Sequence, residues 1–545
     1  MALSSLAEAC VPSTFTPTLP GAEILSIEAS MVKNYNFDIP DALVFANPPV
    51  NVENANFCNV TVTYTHSGHN EEAHVEAWLP VDNWNGRFQA VGGGGWVTGR
   101  FVFSYATMAR AIYDGYATIT TDAGLGTELI PNSWALQNSG DVNLHKLEDF
   151  ASTSLNDEAI IGKSLIKSFY GQPPSFSYWL GCSSGGRQGI MLGQRYPTAY
   201  DGIAAGAPAI HFTETVLNTF WAEHVMTRDG HIPYGCEIDA ISAAAVSKCT
   251  GSDGFVLEVE ECLNQFSPFD LVGTSTTCAE TKTTVAISEA AAKVAKAAWE
   301  GIISSSGERL WPGLSIDTDL TGNYPVVRNQ RYVASTDCSG ERCVPVGNFF
   351  GKSWVSLFLA KDPNFNTSNI TPEQFENFFH TSKQQYDSIT GTNDPDLSEF
   401  KKTGKMLVWH GLADNLISPK GTEKYSRDVT KRVDNAEEFY RYYPVPGLAH
   451  CMGGYGGRPY SLFEQLRTWV ENGTAPESLP VSFSDRHGVI QNRVVCPWPQ
   501  KAEFDSDCGD VTKAECWSCP GRGTNEEPKA EEKESNLRGN KHEEL

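Results

Sequence analysis

One short stretch constrains the fold more than any other. Tyr178-Trp179-Leu180-Gly181-Cys182-Ser183-Ser184-Gly185-Gly186-Arg187-Gln188 runs from an apolar β segment through Gly-x-Ser-x-Gly into a helical pattern. A serine at such a strand-to-helix turn is held in a strained conformation, and its small neighbours let the backbone turn tightly. The helix N-terminus then points free N–H groups at whatever the serine attacks. A turn of this kind belongs to a parallel sheet covered by helices. Other short apolar segments, Arg87–Val91, Ala117–Thr121, Ser175–Leu180, Gly202–Ala205 and Lys405–Trp409, alternate with helical ones, which predicts an α/β fold with a mostly parallel sheet. Upstream, Val60–Thr65 and His74–Leu79 flank the polar loop Ser67–Glu72 as the arms of a hairpin do. His66, His69 and His74 sit there and are read as hairpin-loop histidines in preference to metal ligands.

A serine hydroxyl needs a base, and the base needs an acid to orient it. In the strand–elbow–helix setting these follow in the order Ser, acid, His. Met406–Trp409 is an apolar strand running into His410-Gly411-Leu412-Ala413-Asp414, which places Asp414 as the acid. Phe439–Tyr443 is a further strand, followed by a Pro- and Gly-bearing loop with His450 as the base. His410, at a strand end before Gly411, is read as a structural hydrogen-bonding residue. Cys182 precedes Ser183 and Cys451 follows His450, so a Ser–His contact brings two cysteines within bridging distance. The alternative, Cys182 as nucleophile, is disfavoured by an oxidised partner.

Composition narrows the function classes. Asp plus Glu outnumber Lys plus Arg by 66 to 41, a net charge of −25, which opposes a nucleic-acid or anionic-membrane surface. No apolar run is long enough to span a bilayer. Fourteen cysteines in 545 residues exceed what a core this size needs and point to an oxidising compartment. Met1–Phe15 lacks the basic start and apolar stretch of a signal peptide. Sequons at Asn59, Asn366, Asn369 and Asn472 favour secretion. The final Lys541-His542-Glu543-Glu544-Leu545 reads equally as an endoplasmic-reticulum retrieval signal or as the end of an acidic tail.

Gly181-Cys182-Ser183-Ser184-Gly185-Gly186, His410-Gly411-Leu412-Ala413-Asp414 and Ala449-His450-Cys451 together resemble the tannase and feruloyl esterase family. The likeness runs from Cys10 to about Cys519. It includes Asn83-Trp84-Asn85-Gly86-Arg87-Phe88, Gly92–Gly95 and the Tyr196–Pro208 stretch. The resemblance implies an α/β-hydrolase core in two parts, residues 1–211 and 396–520, a lid inserted at 212–395, and hydrolysis of phenolic acid esters by Ser183, Asp414 and His450. Residues 521–545, rich in Glu and Lys, are read as a disordered tail. The expected substrate is a small or oligosaccharide-linked phenolic ester, feruloyl esters of plant polysaccharide first, then galloyl esters or an ester of secondary metabolism. An inactive phenolic-binding relative is the non-enzyme alternative. Nothing in the sequence sets an oligomeric state.

An oxyanion needs two backbone donors. The N–H of Ser184 is one candidate, and the N–H of Gly94 or Gly95 the other. Pairings implied by resemblance are Cys182–Cys451, Cys10–Cys58, Cys496–Cys519 and Cys508–Cys516, with Cys249–Cys262 closing a loop in the insertion. The family usually carries a calcium loop there. In Cys249–Val259 only Asp253 remains of three Asp ligands, too few for an ion that wants 6–8 oxygens, so a firm calcium site is not expected. No cofactor is required.

Overall fold

The computed structural model describes residues 3–69, 71–251, 254–256, 259–279, 281–322, 332–340 and 342–520. Asp253 and the tail 521–545 lie outside the described residues.

Nine strands form one sheet: β1 (Ala22–Asp38), β2 (Asn51–His66), β3 (Ala73–Pro80), β4 (Arg87–Val91), β5 (Ala117–Thr121), β6 (Phe176–Cys182), β7 (Gly202–Gly206), β8 (Lys405–Gly411) and β9 (Tyr440–Val445). Their order is β1-β2-β3-β5-β4-β6-β7-β8-β9. The first three and the β3–β5 pair are antiparallel. From β5 to β9 every pairing is parallel. The sequence dictates this division. β5 and β7 are buried along their whole length, as strands covered on both faces must be. β1 is a polar edge strand with no fully buried residue.

Helices α1 (Val102–Tyr113), α2 (Leu144–Ala151), α3 (Thr153–Tyr170) and α4 (Ser184–Arg195) belong to the first part of the chain. The 212–395 segment contributes α5 (Phe212–Asp229), α6 (Gly235–Cys249), α7 (Glu289–Glu300) and α8 (Pro372–Thr390). Among the described residues its strands form two-stranded antiparallel pairs, such as Ser275–Cys278 with Thr283–Ala286. The ends of these helices are written in the sequence. Ser288 accepts the Ala291 N–H to start α7, and Thr371 and Gln374 form a reciprocal cap on α8. The chain then returns to the sheet with β8, α9 (Pro419–Arg432), β9 and α10 (Leu462–Asn472).

One hydrophobic cluster joins the inserted segment to the rest. Phe212, Trp354 and Phe358 pack with Trp96, Trp134 and Phe150. Ring centroids of Trp96 and Phe358 lie 5.5 Å apart, and those of Trp96 and Trp354 6.0 Å apart.

All fourteen cysteines are paired. The five pairings expected above are present. Cys236–Cys278 and Cys338–Cys343, both inside the insertion, were not read from the sequence. Of the sequons, Asn366, Asn369 and Asn472 are exposed. Asn59 is the exception: it sits within β2, between β1 and β3, with its Nδ2 on Glu76 Oε1 at 3.3 Å. Its side chain is only partly exposed, unlike those of the other three sequons.

Candidate active site

Four loops at the C-terminal ends of parallel strands converge, where ligands bind in open α/β sheets. Ser183 follows β6, the glycine run follows β4, Asp414 follows β8 and His450 follows β9.

Ser183 has φ 63° and ψ −123°, a conformation that L-residues avoid. Three backbone bonds fix it there. Its N–H donates to Gly206 O at 2.9 Å, and its carbonyl accepts from Arg187 N–H at 3.0 Å and Ala209 N–H at 3.1 Å. The turn needs room that only glycine leaves. A Cβ on Gly181 would stand 2.5 Å from the Gly185 carbonyl, and one on Gly93 would stand 2.0 Å from Val97 O. Gln188 ties the two loops together, accepting the Gly93 N–H at 2.9 Å and donating to Thr98 O at 3.1 Å.

His450 Nε2 lies 2.9 Å from Ser183 Oγ, and its Nδ1 lies 2.7 Å from Asp414 Oδ2. The His450 backbone N–H donates to Asn415 Oδ1 at 3.2 Å. Asp414 is fully buried, yet its oxygens are saturated. Oδ1 accepts the N–H groups of Leu416 and Ile417, each at 2.8 Å. Oδ2 is shared by His450 and by His410 Nε2 at 3.0 Å. Burial works to raise the Asp414 pKa. The charge of His450 and the hydrogen bonds from His410 and His450 outweigh it and hold the carboxyl well below the usual carboxylate range. His410, itself buried, is anchored through Nδ1 on Thr422 Oγ1 at 2.8 Å. The two histidines of the sequence argument therefore meet on one carboxylate, with only His450 reaching the serine.

The Cys182–Cys451 bridge joins the residue before Ser183 to the residue after His450. In the glycine run, Gly94 N–H donates to Val97 O at 2.9 Å, so it is already spent within the loop. Gly95 has φ 60°, and its carbonyl accepts the Ser184 hydroxyl at 2.6 Å. Phe350 packs over Gly95 and Phe101 over Gly94, closing that side with aromatic rings.

Arg187 is a residue whose role sequence reasoning did not assign. It is completely buried, donates to Phe150 O at 2.9 Å and Ala151 O at 3.1 Å, and its guanidinium lies against the rings of Phe150 and Phe212, 4.8 and 5.6 Å from their centroids. The last carbonyls of α2 carry partial negative charge and take the place of a counter-ion.

A mainly parallel sheet, with a serine at a positive-φ strand-to-helix turn and an Asp–His pair on later strand ends, defines an α/β-hydrolase. Solved structures share the fold. Tannin acyl hydrolase from Aspergillus niger matches with a TM-score of 0.79 at 24% identity over 95% of each chain. Feruloyl esterase B from Aspergillus oryzae matches with a TM-score of 0.75 at 24% identity, over 95% of this chain and 100% of its own. In sequence, the chain is 37% identical over 521 residues to a protein of Arthroderma benhamiae named "Probable feruloyl esterase", covering 92% of each. The model of the family "Tannase and feruloyl esterase" matches residues 58–520, and the chain belongs to that family. It is thereby a carboxylic ester hydrolase. No helix among the described residues is long and apolar enough to cross a membrane.

Proposed function

We propose that the chain is a serine carboxylesterase for esters of phenolic acids, with feruloyl esters of plant cell-wall polysaccharide as the first substrate class and galloyl esters as the second. The observation that carries this reading is the continuous hydrogen-bonded line from Ser183 Oγ through His450 to Asp414.

Ser183 Oγ attacks the ester carbonyl as His450 Nε2 takes its proton. Asp414 fixes the Nδ1–H tautomer and stabilises the imidazolium that forms. The N–H of Ser184, at the start of α4, and the N–H of Gly95 receive the oxyanion; Gly94 is set aside because its N–H serves Val97. His450 returns the proton to the leaving alcohol, and water repeats the sequence to free the acid. These steps use no cofactor and no metal. The rings of Phe101 and Phe350 beside the oxyanion loop suit a planar aromatic acyl group. Relatives named feruloyl esterase and tannase support the two substrate classes. Seven disulfides and three exposed sequons support a secreted glycoprotein or one held in the secretory lumen, the latter through the C-terminal His-Glu-Glu-Leu.

A fluorophosphonate probe and a panel of methyl ferulate, methyl caffeate, methyl gallate and a short-chain ester test the reading. Labelling at Ser183 and its loss in Ser183→Ala, with phenolic esters cleaved faster than the short-chain ester, are expected. Unlabelled wild-type protein, or Ser183→Ala hydrolysing as wild type does, would show a phenolic-binding relative without this chemistry.

A further inference from the structure

A second cluster of reactive side chains lies in the turn between β2 and β3, away from the Ser183 line. Glu71 is its centre. Its side chain is 1% exposed, and Oε1 accepts the His66 N–H at 2.6 Å while facing His66 Nδ1 at 2.9 Å. Among the described residues Oε2 has no hydrogen-bond partner. It faces His69 Nδ1, which has none among them either, at 3.9 Å. That is too far for a hydrogen bond. Two ligand atoms of a tetrahedral zinc ion sit about 3.4 Å apart, so a shift of about half an ångström places both on one ion.

The surroundings point the same way. Ligand atoms of His66, His69 and Glu71 all lie within 4.8 Å of one another. The far nitrogen of His66, Nε2, faces Asp157 Oδ2 at 3.1 Å, and Tyr64 OH donates to that same oxygen at 3.1 Å. A carboxylate behind the imidazole is the arrangement that fixes the ring and tautomer of a metal-bound histidine. The His69 ring stacks on His145 with centroids 3.9 Å apart, which holds its plane. Three buried carboxyl groups, those of Glu71, Asp149 and Asp157, are grouped around His66, and among the described residues Asp149 Oδ2, like Glu71 Oε2, is buried without a hydrogen-bond partner. His74, the third histidine of this region, is not part of the group; its N–H and Nδ1 both engage Asp122, at 2.9 and 3.0 Å.

We propose that His66, His69 and Glu71 bind a divalent transition-metal ion of the zinc type, with Asp157 as the outer partner of His66. Two imidazoles and one carboxylate suit zinc, whereas calcium asks for an all-oxygen shell. The ion pins the β2–β3 turn and takes no part in the ester chemistry.

The test uses untagged full-length protein, stripped with a chelator, dialysed, and returned to zinc sulfate or calcium chloride. Wild type retains one zinc ion per chain through a second dialysis and melts at a higher temperature with zinc, while calcium does neither. His69→Ala, which removes a partly exposed side chain that makes no hydrogen bond among the described residues, retains at least about tenfold less zinc while cleaving a chromogenic ester at the wild-type rate. Glu71→Gln behaves likewise and, should the turn fail to fold, His69→Ala still decides. Wild type that retains no stoichiometric zinc overturns the proposal, as does His69→Ala that retains as much as wild type.

Discussion

Replacing Cys182 and Cys451 together by alanine separates two roles that one bridge combines. The cysteines are 269 positions apart, and cross-linking a loop that long restricts the unfolded chain by about 5–6 kcal/mol in the chain-entropy model. With unfolding entropy near 2.1 cal/mol/K per residue over roughly 500 ordered residues, that converts to a fall in Tm of about 5 °C. If chain entropy were the whole effect, activity below the melting transition would be untouched. The position of the bridge predicts otherwise. It holds the Ser183 turn against the His450 loop, whose reacting atoms are 2.9 Å apart, and misplacement by about 1 Å costs on the order of a hundredfold in rate. The double variant is therefore expected to lose about 10- to 100-fold in kcat on a chromogenic ester at 20 °C, together with the drop in Tm. Cys496→Ala/Cys519→Ala is the control. That bridge spans 23 positions and touches neither loop, so it should lower stability by about 3 kcal/mol and leave kcat unchanged. Wild-type kcat in the Cys182/Cys451 variant, or equal losses of activity in both variants, refutes the bracing argument.

Two further outcomes follow from groups already described. Asp414→Asn should lower kcat by about 10⁴-fold with little change in Tm, because Leu416 and Ile417 N–H groups hold the amide oxygen and turn its NH₂ toward His450 Nδ1, forcing the wrong tautomer; stopped or steady-state ester hydrolysis reads this directly, and a loss under tenfold contradicts it. His224, buried in α5 against Phe375 with both ring nitrogens unpartnered among the described residues, is pushed down to about 4 by burial and then by Arg228, while an unfolded histidine titrates near 6.5. The unfolded chain takes up the proton first, so stability is intact above about pH 6.5 and falls by roughly 3 kcal/mol toward pH 4. Denaturant melts of His224→Phe should show a shallower decline over that window, and an unchanged slope would remove His224 from the acid sensitivity.

The parallel strands and the order of Ser183, Asp414 and His450 were legible because each signal is local: an apolar run, a turn residue, a short loop. Arg87–Val91 and Ala117–Thr121 fold over the spans read from the sequence. β1 was not singled out, since an exposed edge strand has the polar composition of a loop. The proposed preference for Gly95 over Gly94 rests on which N–H the loop itself consumes, and no pattern of four glycines encodes that. The sharing of Asp414 by two histidines was similarly hidden, because His410 is read as a strand end and only the rotation of its ring shows where Nε2 points. Cys236–Cys278 and Cys338–Cys343 depend on the course of the insertion, whose long polar loops give no local signal of which cysteines meet.

The burial of Arg187 has a consequence for any attempt to exchange or trim the inserted segment. Its guanidinium lies against the edge-to-face pair formed by Phe150 and Phe212, the latter the first residue of α5. Cutting the chain at position 212 would strip one wall from an ion that has no carboxylate to fall back on and expose Trp96 and Trp134 along with it. The serine-bearing helix and the insertion are thus riveted to each other. A graft of a relative's insertion onto this scaffold must bring a matching aromatic at 212 and must keep the planar fork at 187, which lysine cannot reproduce.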